Sequence, residues 1–379
     1  LCLVAAMASE ALEAKVPLSV KLPAIALASI LSMFFAEVFS GASPLWFLSA
    51  WGILVTLPLY GGHLLLLINL AMRCGRTSVS SLYLWGILFG LYEAWITKVL
   101  WAGYIGATPG LGTFLGIGVQ EFAVLALFWH PVFSFIIPIL VYQLLVVAVA
   151  GSAEGIFPSH APFLQRRRRN FILAGVALLI GASFLNIGAQ LNAASGVVTI
   201  VGSAVLISSA LWLASRGGGG MESGHFGVHA LRLGRRGFAL LLAYMASLYA
   251  STFLFLLPER IPQLPVIAST LAIYAAVIAL IFLKRRNSES YPDPGASMQS
   301  FSMRDLAGFA IAMVAATALL SLSPVLDFVF FYGFYWGITA AGCILMVAVL
   351  VVLSKERLRG RGPTGSTQGN ESSRPGEVV

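Results

Sequence analysis

The chain has 379 residues, of which 59% are hydrophobic and 10% charged, and its mean hydropathy is +0.90. That balance lies outside the range of soluble domains and fits an all-α, polytopic transmembrane helical bundle with the lipid bilayer as its main partner. The formal net charge of +8 sits in short segments between apolar runs, where basic residues report orientation, so nucleic acid is not expected as a partner. Cys2, Cys74 and Cys343 have neither metal-ligand spacing nor an even count, so packing roles are expected for them and no cofactor or metal is.

A bilayer is crossed by about 20 apolar residues, and by that rule the chain reads as about ten spans. Residues 1–21 form a short arm, with Met7 a more natural start than Leu1. The first span, 22–40, carries Glu37 near its far end. The apolar run 45–72 exceeds one straight crossing, and Pro58 with Tyr60-Gly61-Gly62-His63 predicts a kink or break in it.

The third segment, 81–103, places Gly86, Gly90, Glu93 and Thr97 on one helical face. Gly86 and Gly90 form a small-xxx-small pair that lets a neighbour approach closely, so Glu93 is expected in a helix contact near mid-membrane. An ionised carboxylate there costs about 2.5 kcal/mol or more, so Glu93 should be protonated, paired or beside a wet cavity. Lys98 lies about 140° around the helix from Glu93 at 100° per residue. Among Trp95, Trp101 and Tyr104 it reads either as a lysine snorkelling to the interface or as a functional cation.

The loop 104–118 contains Gly110, Gly112 and Gly116 in a superficial likeness to a dinucleotide fingerprint, but without a βαβ unit it reads as close packing or a re-entrant turn. Residues 119–150 again exceed one span, and a break is expected at Pro131. Glu121 and His130 would face opposite sides of an unbroken helix, whereas a break would turn both inward. His130 is either satisfied by a backbone carbonyl or handles protons.

The loop 151–169 ends in Arg166, Arg167, Arg168 and Arg169, an inside marker able to touch anionic lipid head groups. Six spans follow, at 170–188, 195–214, 237–257, 265–283, 306–323 and 326–353. His225 and His229, four residues apart, lack a companion for metal binding. Gly333 and Gly337 form a second small-xxx-small pair. The tail 354–379 is basic and then Gly/Ser/Pro-rich, and disorder is expected there. Every second loop is basic, which predicts a cell-membrane protein with both termini cytoplasmic.

The ionisable groups are unevenly placed. Glu37, His63, Glu93, Lys98, Glu121 and His130 all precede residue 151, which makes 22–150 a four-span polar-site half and 170–353 a six-span apolar scaffold half. These six residues are the candidate substrate- or proton-binding groups.

At Ala36-Glu37-Val38, Tyr60-Gly61-Gly62, Glu93 with Thr97-Lys98, and Phe128-Trp129-His130-Pro131, the N-terminal 150 residues resemble a group of uncharacterised prokaryotic multi-pass membrane proteins. That resemblance implies a polytopic fold and supplies no activity. The paired-glutamate pattern of CAAX-processing proteases can be entered at Glu93 but fails at Ala94, Lys98 and Ala126. Three function classes stay open: a permease or small-solute transporter, which leads; an intramembrane hydrolase or lipid-modifying enzyme using Glu93 and His130; and a non-catalytic membrane partner. No motif names a small-molecule substrate.

Overall fold

Within hydrocarbon, every backbone N–H and C=O needs an internal partner, and a helix supplies one for nearly all of them. The apolar runs accordingly become helices. A computed structural model describes residues 16–150, 156–217, 227–286 and 299–359. Cys2, His225 and most of the expected N-terminal arm and C-terminal tail fall outside the described residues.

The chain runs through α1 (Leu18–Val38) and α2 (Gly52–Cys74). It then passes three short helices, α3 (Val79–Gly90), α4 (Tyr92–Trp95) and α5 (Val99–Ala102), and a hairpin pairing β1 (Thr113–Phe114) with β2 (Ile117–Gly118). The later helices are α6 (Val119–Val149), α7 (Arg168–Gly188), α8 (Ala193–Arg216), α9 (Arg235–Phe255), α10 (Leu264–Leu283), α11 (Met303–Ser321) and α12 (Pro324–Arg359). Nine of these are long and apolar enough to cross a membrane, and the fold is a nearly all-α bundle. α1 starts inside the segment expected as an arm, and α12 continues past residue 353 to Arg359.

Interruption falls in a different place from the one the prolines predict. α2 passes unbroken through Pro58, Gly61 and Gly62. Its glycines serve approach instead: a Cβ on Gly61 would lie 2.3 Å from Ser29 Oγ of α1, and one on Gly62 2.7 Å from Met245 Sδ of α9. α6 passes unbroken through Pro131 because Phe122–Ile136 is wound as a π-helix. That winding shifts the hydrogen-bond register by one residue, which relieves the clash a proline makes with the carbonyl four residues back. The expected third crossing is the one that breaks, at Ile96–Lys98.

α6 is the axis of the bundle, with α3 and α12 packed along it and the end of α1 against it. The most apolar stretches of α1, α2 and α6 are 56%, 61% and 67% buried, against 11–22% for α9 to α12. Burial is thus concentrated in α1, α2 and α6, and the last four helices leave most of their surface uncovered by the rest of the chain. Basic segments gather at one end, where Arg73 reaches Leu233 O, Arg76 reaches Phe282 O, and Lys284 lies 3.4 Å from Glu356. Gly333 and Gly337 face open space, and α12 instead meets α6 at Gly342, where a Cβ would lie 2.4 Å from Ala123 O. Cys74 is buried as expected of a packing residue, whereas Cys343 is exposed.

Candidate functional site

The site begins with two glycines. A Cβ on Gly86 would lie 2.4 Å from Pro131 Cα, and one on Gly90 2.7 Å from Ala126 Cα, so α3 touches α6 backbone to backbone. One turn further on, the same face carries Glu93, whose Oε1 lies 2.9 Å from His130 Nε2. Thr97, on that face too, places its hydroxyl between the backbone oxygen and Oε2 of Glu93. His130 Nδ1 is 2.9 Å from Ser134 Oγ, and Ser134 O accepts from Ser32 Oγ of α1 at 2.7 Å. Both members of the pair are buried, Glu93 at 7% and His130 at 1% exposure.

Burial limits what such a pair can do. With one shared proton it carries no net charge, whichever partner holds that proton; adding or removing a proton leaves a charge in a low-dielectric interior. Proton movement there needs a hydrogen-bonded route, and a hydrogen-bonded row of side chains runs from Tyr92, the neighbour of Glu93 in sequence, to Glu37. Tyr92 Oη and Tyr60 Oη share a hydrogen bond at 2.7 Å. Tyr60 Oη in turn donates to Glu37 Oε1 at 2.5 Å, and Ser43 Oγ donates to Glu37 Oε2 at 2.5 Å. Glu37 is only half-buried, at the end of α1 away from the basic segments.

His63 joins through its ring. Phe89 stacks between His63, at 4.9 Å and 13°, and His130, at 5.5 Å and 17°. His63 Nδ1–H donates to Leu59 O at 2.8 Å, which leaves Nε2 to accept from Tyr249 Oη at 2.8 Å. A groove of about 430 Å³ opens onto this imidazole between α2, α9 and α10, walled by Leu88, Trp95, Met245, Tyr249 and Tyr274. Although consecutive, α9 and α10 hardly touch. A larger groove, about 760 Å³, runs between α8 and α11 and has no titratable group in its lining.

Two expected residues stay outside this arrangement. Glu121 turns into the neighbouring loop, where Oε1 accepts from Gly110 N at 2.9 Å. Lys98 is fully buried rather than snorkelling, and its Nζ donates to the last carbonyls of α9, at Thr252, Phe253 and Leu256. Conversely, Tyr60, Tyr92, Ser134 and Tyr249 were not singled out for chemistry by the sequence. Tyrosine in an apolar run reads as bulk, and the signal was Tyr60-Gly61-Gly62-His63, which marks close approach on both sides of two polar groups. Among the described residues, no three His, Cys, Asp or Glu side chains are grouped to hold a metal.

Fold and site together define a polytopic helical membrane protein with a buried acid–histidine pair. The chain belongs to a family whose model is described as an uncharacterized membrane protein family and which matches residues 26–359. That match extends well past the N-terminal 150 residues on which the resemblance first rested. An uncharacterized protein of Archaeoglobus fulgidus is 40% identical over 152 residues, which is 40% of this chain and 47% of that protein. The matched part thus spans about half the length of that curated relative. No solved structure matches.

Proposed function

We propose that the protein is a proton-coupled permease for a small amphipathic solute, with Glu93 and His130 as the proton-carrying pair. The observation that carries this reading is the direct Glu93–His130 contact at 2.9 Å, with a row of polar side chains beside it in which Tyr92, Tyr60 and half-buried Glu37 are joined by hydrogen bonds. The groove at His63 supplies an apolar and aromatic wall with one polar floor, as an amphipathic solute requires. Solute and proton sites would couple through the His63–Phe89–His130 stack. In this reading both termini and the basic segments face the cytoplasm, with exposed Arg166 to Arg169 against anionic head groups.

A second reading, an intramembrane hydrolase, draws on the direct Glu93–His130 contact at 2.9 Å, the geometry of a general base with its orienting partner. One experiment separates the two. Purified protein in phosphatidylcholine vesicles loaded with a pH dye is challenged with a panel of aromatic and alkyl amphiphiles. Solute-dependent acidification that Glu93→Gln abolishes supports the permease; a cleaved solute found by mass spectrometry supports the hydrolase. If neither appears with any solute, or if Glu93→Gln behaves as wild type, the permease reading fails.

A further inference from the structure

Among the described residues, the second half of the chain holds one fully buried carboxylate, which the reading above does not use. Asp327, in the first turn of α12, is fully buried, as are Asn186 and Ser183 in the last two turns of α7. Asn186 Nδ2 donates to Asp327 Oδ2 at 2.9 Å, and Ser183 Oγ–H reaches the Asp327 backbone oxygen at 3.3 Å. The other oxygens of the same pair, Asp327 Oδ1 and Asn186 Oδ1, are buried without any donor.

Two acceptor-only oxygens on bonded side chains cannot satisfy each other. A buried acceptor without a donor is rare in native proteins and asks for an explanation. The first turn of a helix also favours the ionised form of an aspartate, and a bound cation would favour it further. None of the ion pairs among the described residues includes Asp327, and Lys98 and Arg260, the cations near this end of the bundle, are committed to backbone carbonyls. A cation placed between the two oxygens would serve both at once, which a single hydrogen-bond donor would not.

We propose that the junction of α7 and α12 binds a monovalent metal cation, held by the carboxylate of Asp327, the amide oxygen of Asn186 and the hydroxyl oxygen of Ser183. Hard oxygen donors suit an alkali or alkaline-earth ion over a transition metal. With a single carboxylate, a monovalent ion leaves the buried site neutral, whereas a divalent one leaves it positive. Ser183 keeps a lone pair for the ion while its hydrogen points to the backbone. The site is distinct from Glu93 and His130 and does not depend on how they work.

The test follows the thermal unfolding of the full chain in detergent by tryptophan fluorescence, at constant ionic strength in sodium, potassium or choline chloride. A ligand that binds only the folded state raises the midpoint in a saturable way. The expected result is a rise of about 3 °C or more in sodium or potassium relative to choline. Asp327→Asn should abolish that rise, and Ser183→Ala should raise the half-saturating concentration about tenfold. Equal midpoints in all three salts would overturn the proposal, as would an undiminished response in Asp327→Asn. A wild-type midpoint that rises on acidification but ignores the cation would also overturn it, because Asp327 would then hold a proton. If Asp327→Asn does not fold, the wild-type salt series and Ser183→Ala still decide.

Discussion

At Lys98 a single residue sets the local backbone. It adopts φ 56°, ψ 19°, a left-handed conformation that costs a non-glycine residue about 1–2 kcal/mol, and in return its ammonium meets the C-terminal carbonyls of α9. Arg260, just past α9, repays the contact by donating to Ala102 O at 3.0 Å and Gly103 O at 2.5 Å, at the end of α5. Cations favour helix C-termini, so the two elements clasp each other. Lys98→Met should lower unfolding stability by about 1–3 kcal/mol, since buried carbonyls lose their donor; denaturation in detergent measures this, and an unchanged midpoint would rule out the clasp. A second residue works by proton balance. His160, in the Pro158–His160 turn outside the spans, is buried; its Nε2–H donates to Thr77 O at 2.9 Å and its Nδ1 lies 2.7 Å from Gln143 Nε2. Burial pulls its pKa from 6.5 down to about 4, so the folded protein prefers the neutral ring. The stabilisation is complete above pH 6.5 and is lost as the pH falls toward 4, by about 3 kcal/mol in all. Unfolding midpoints of wild type and His160→Gln should converge over that interval, and parallel curves would refute the assignment.

At the level of elements, two small-xxx-small pairs of the same spacing have opposite fates. Gly86 and Gly90 sit against the backbone of α6, whereas Gly333 and Gly337 have nothing within 4 Å of an added Cβ. Gly86→Ala and Gly90→Ala should each cost about 1–3 kcal/mol, as overpacking does, and should widen the Glu93–His130 contact. Gly333→Ala and Gly337→Ala should stay within about 0.5 kcal/mol of wild type. Sequence spacing cannot separate the two pairs, because it states which residues share a face and leaves the neighbour unnamed. Gly86, Gly90 and Glu93 were legible because a mid-membrane carboxylate must face protein, and this fixed the direction of the whole face. Gly333 and Gly337 had no such charge beside them. The prolines misled for a related reason: Pro131 removes a hydrogen bond, but whether the chain then breaks or rewinds into a π-helix depends on what packs against it. The partners of Lys98, the carbonyls of α9, lie more than 150 residues away in sequence, so no local pattern announces them.

Over the whole molecule, the apolar helical character was readable, since about 20 apolar residues are what a bilayer crossing needs, whereas the stronger burial of α1, α2 and α6 than of α9 to α12 was not written in their similar composition. The route joining the polar groups was not readable, because its links are tyrosines, neutral and abundant in apolar runs. Tyr60 tests whether that route matters. Its ring packs against Phe89 at 5.8 Å and Tyr92 at 6.1 Å, so Tyr60→Phe keeps the packing and removes only the hydroxyl bridging Glu37 and Tyr92. Losing one side-chain hydrogen bond costs about 0.5–1.5 kcal/mol, so the variant should fold. On the permease proposal, solute-driven proton flux should nonetheless fall about tenfold or more, because rate falls exponentially with barrier height and about 1.4 kcal/mol at an interrupted link is tenfold. Tyr249→Phe serves as the counterpart, since its hydroxyl binds His63 on the groove side and lies off the run to Glu37. It should alter the solute concentration for half-maximal flux and leave the maximal proton flux within about twofold. Equal loss of flux in both variants would mean that protons and solute share one path, and a Tyr60→Phe flux equal to wild type would remove Glu37 from the mechanism.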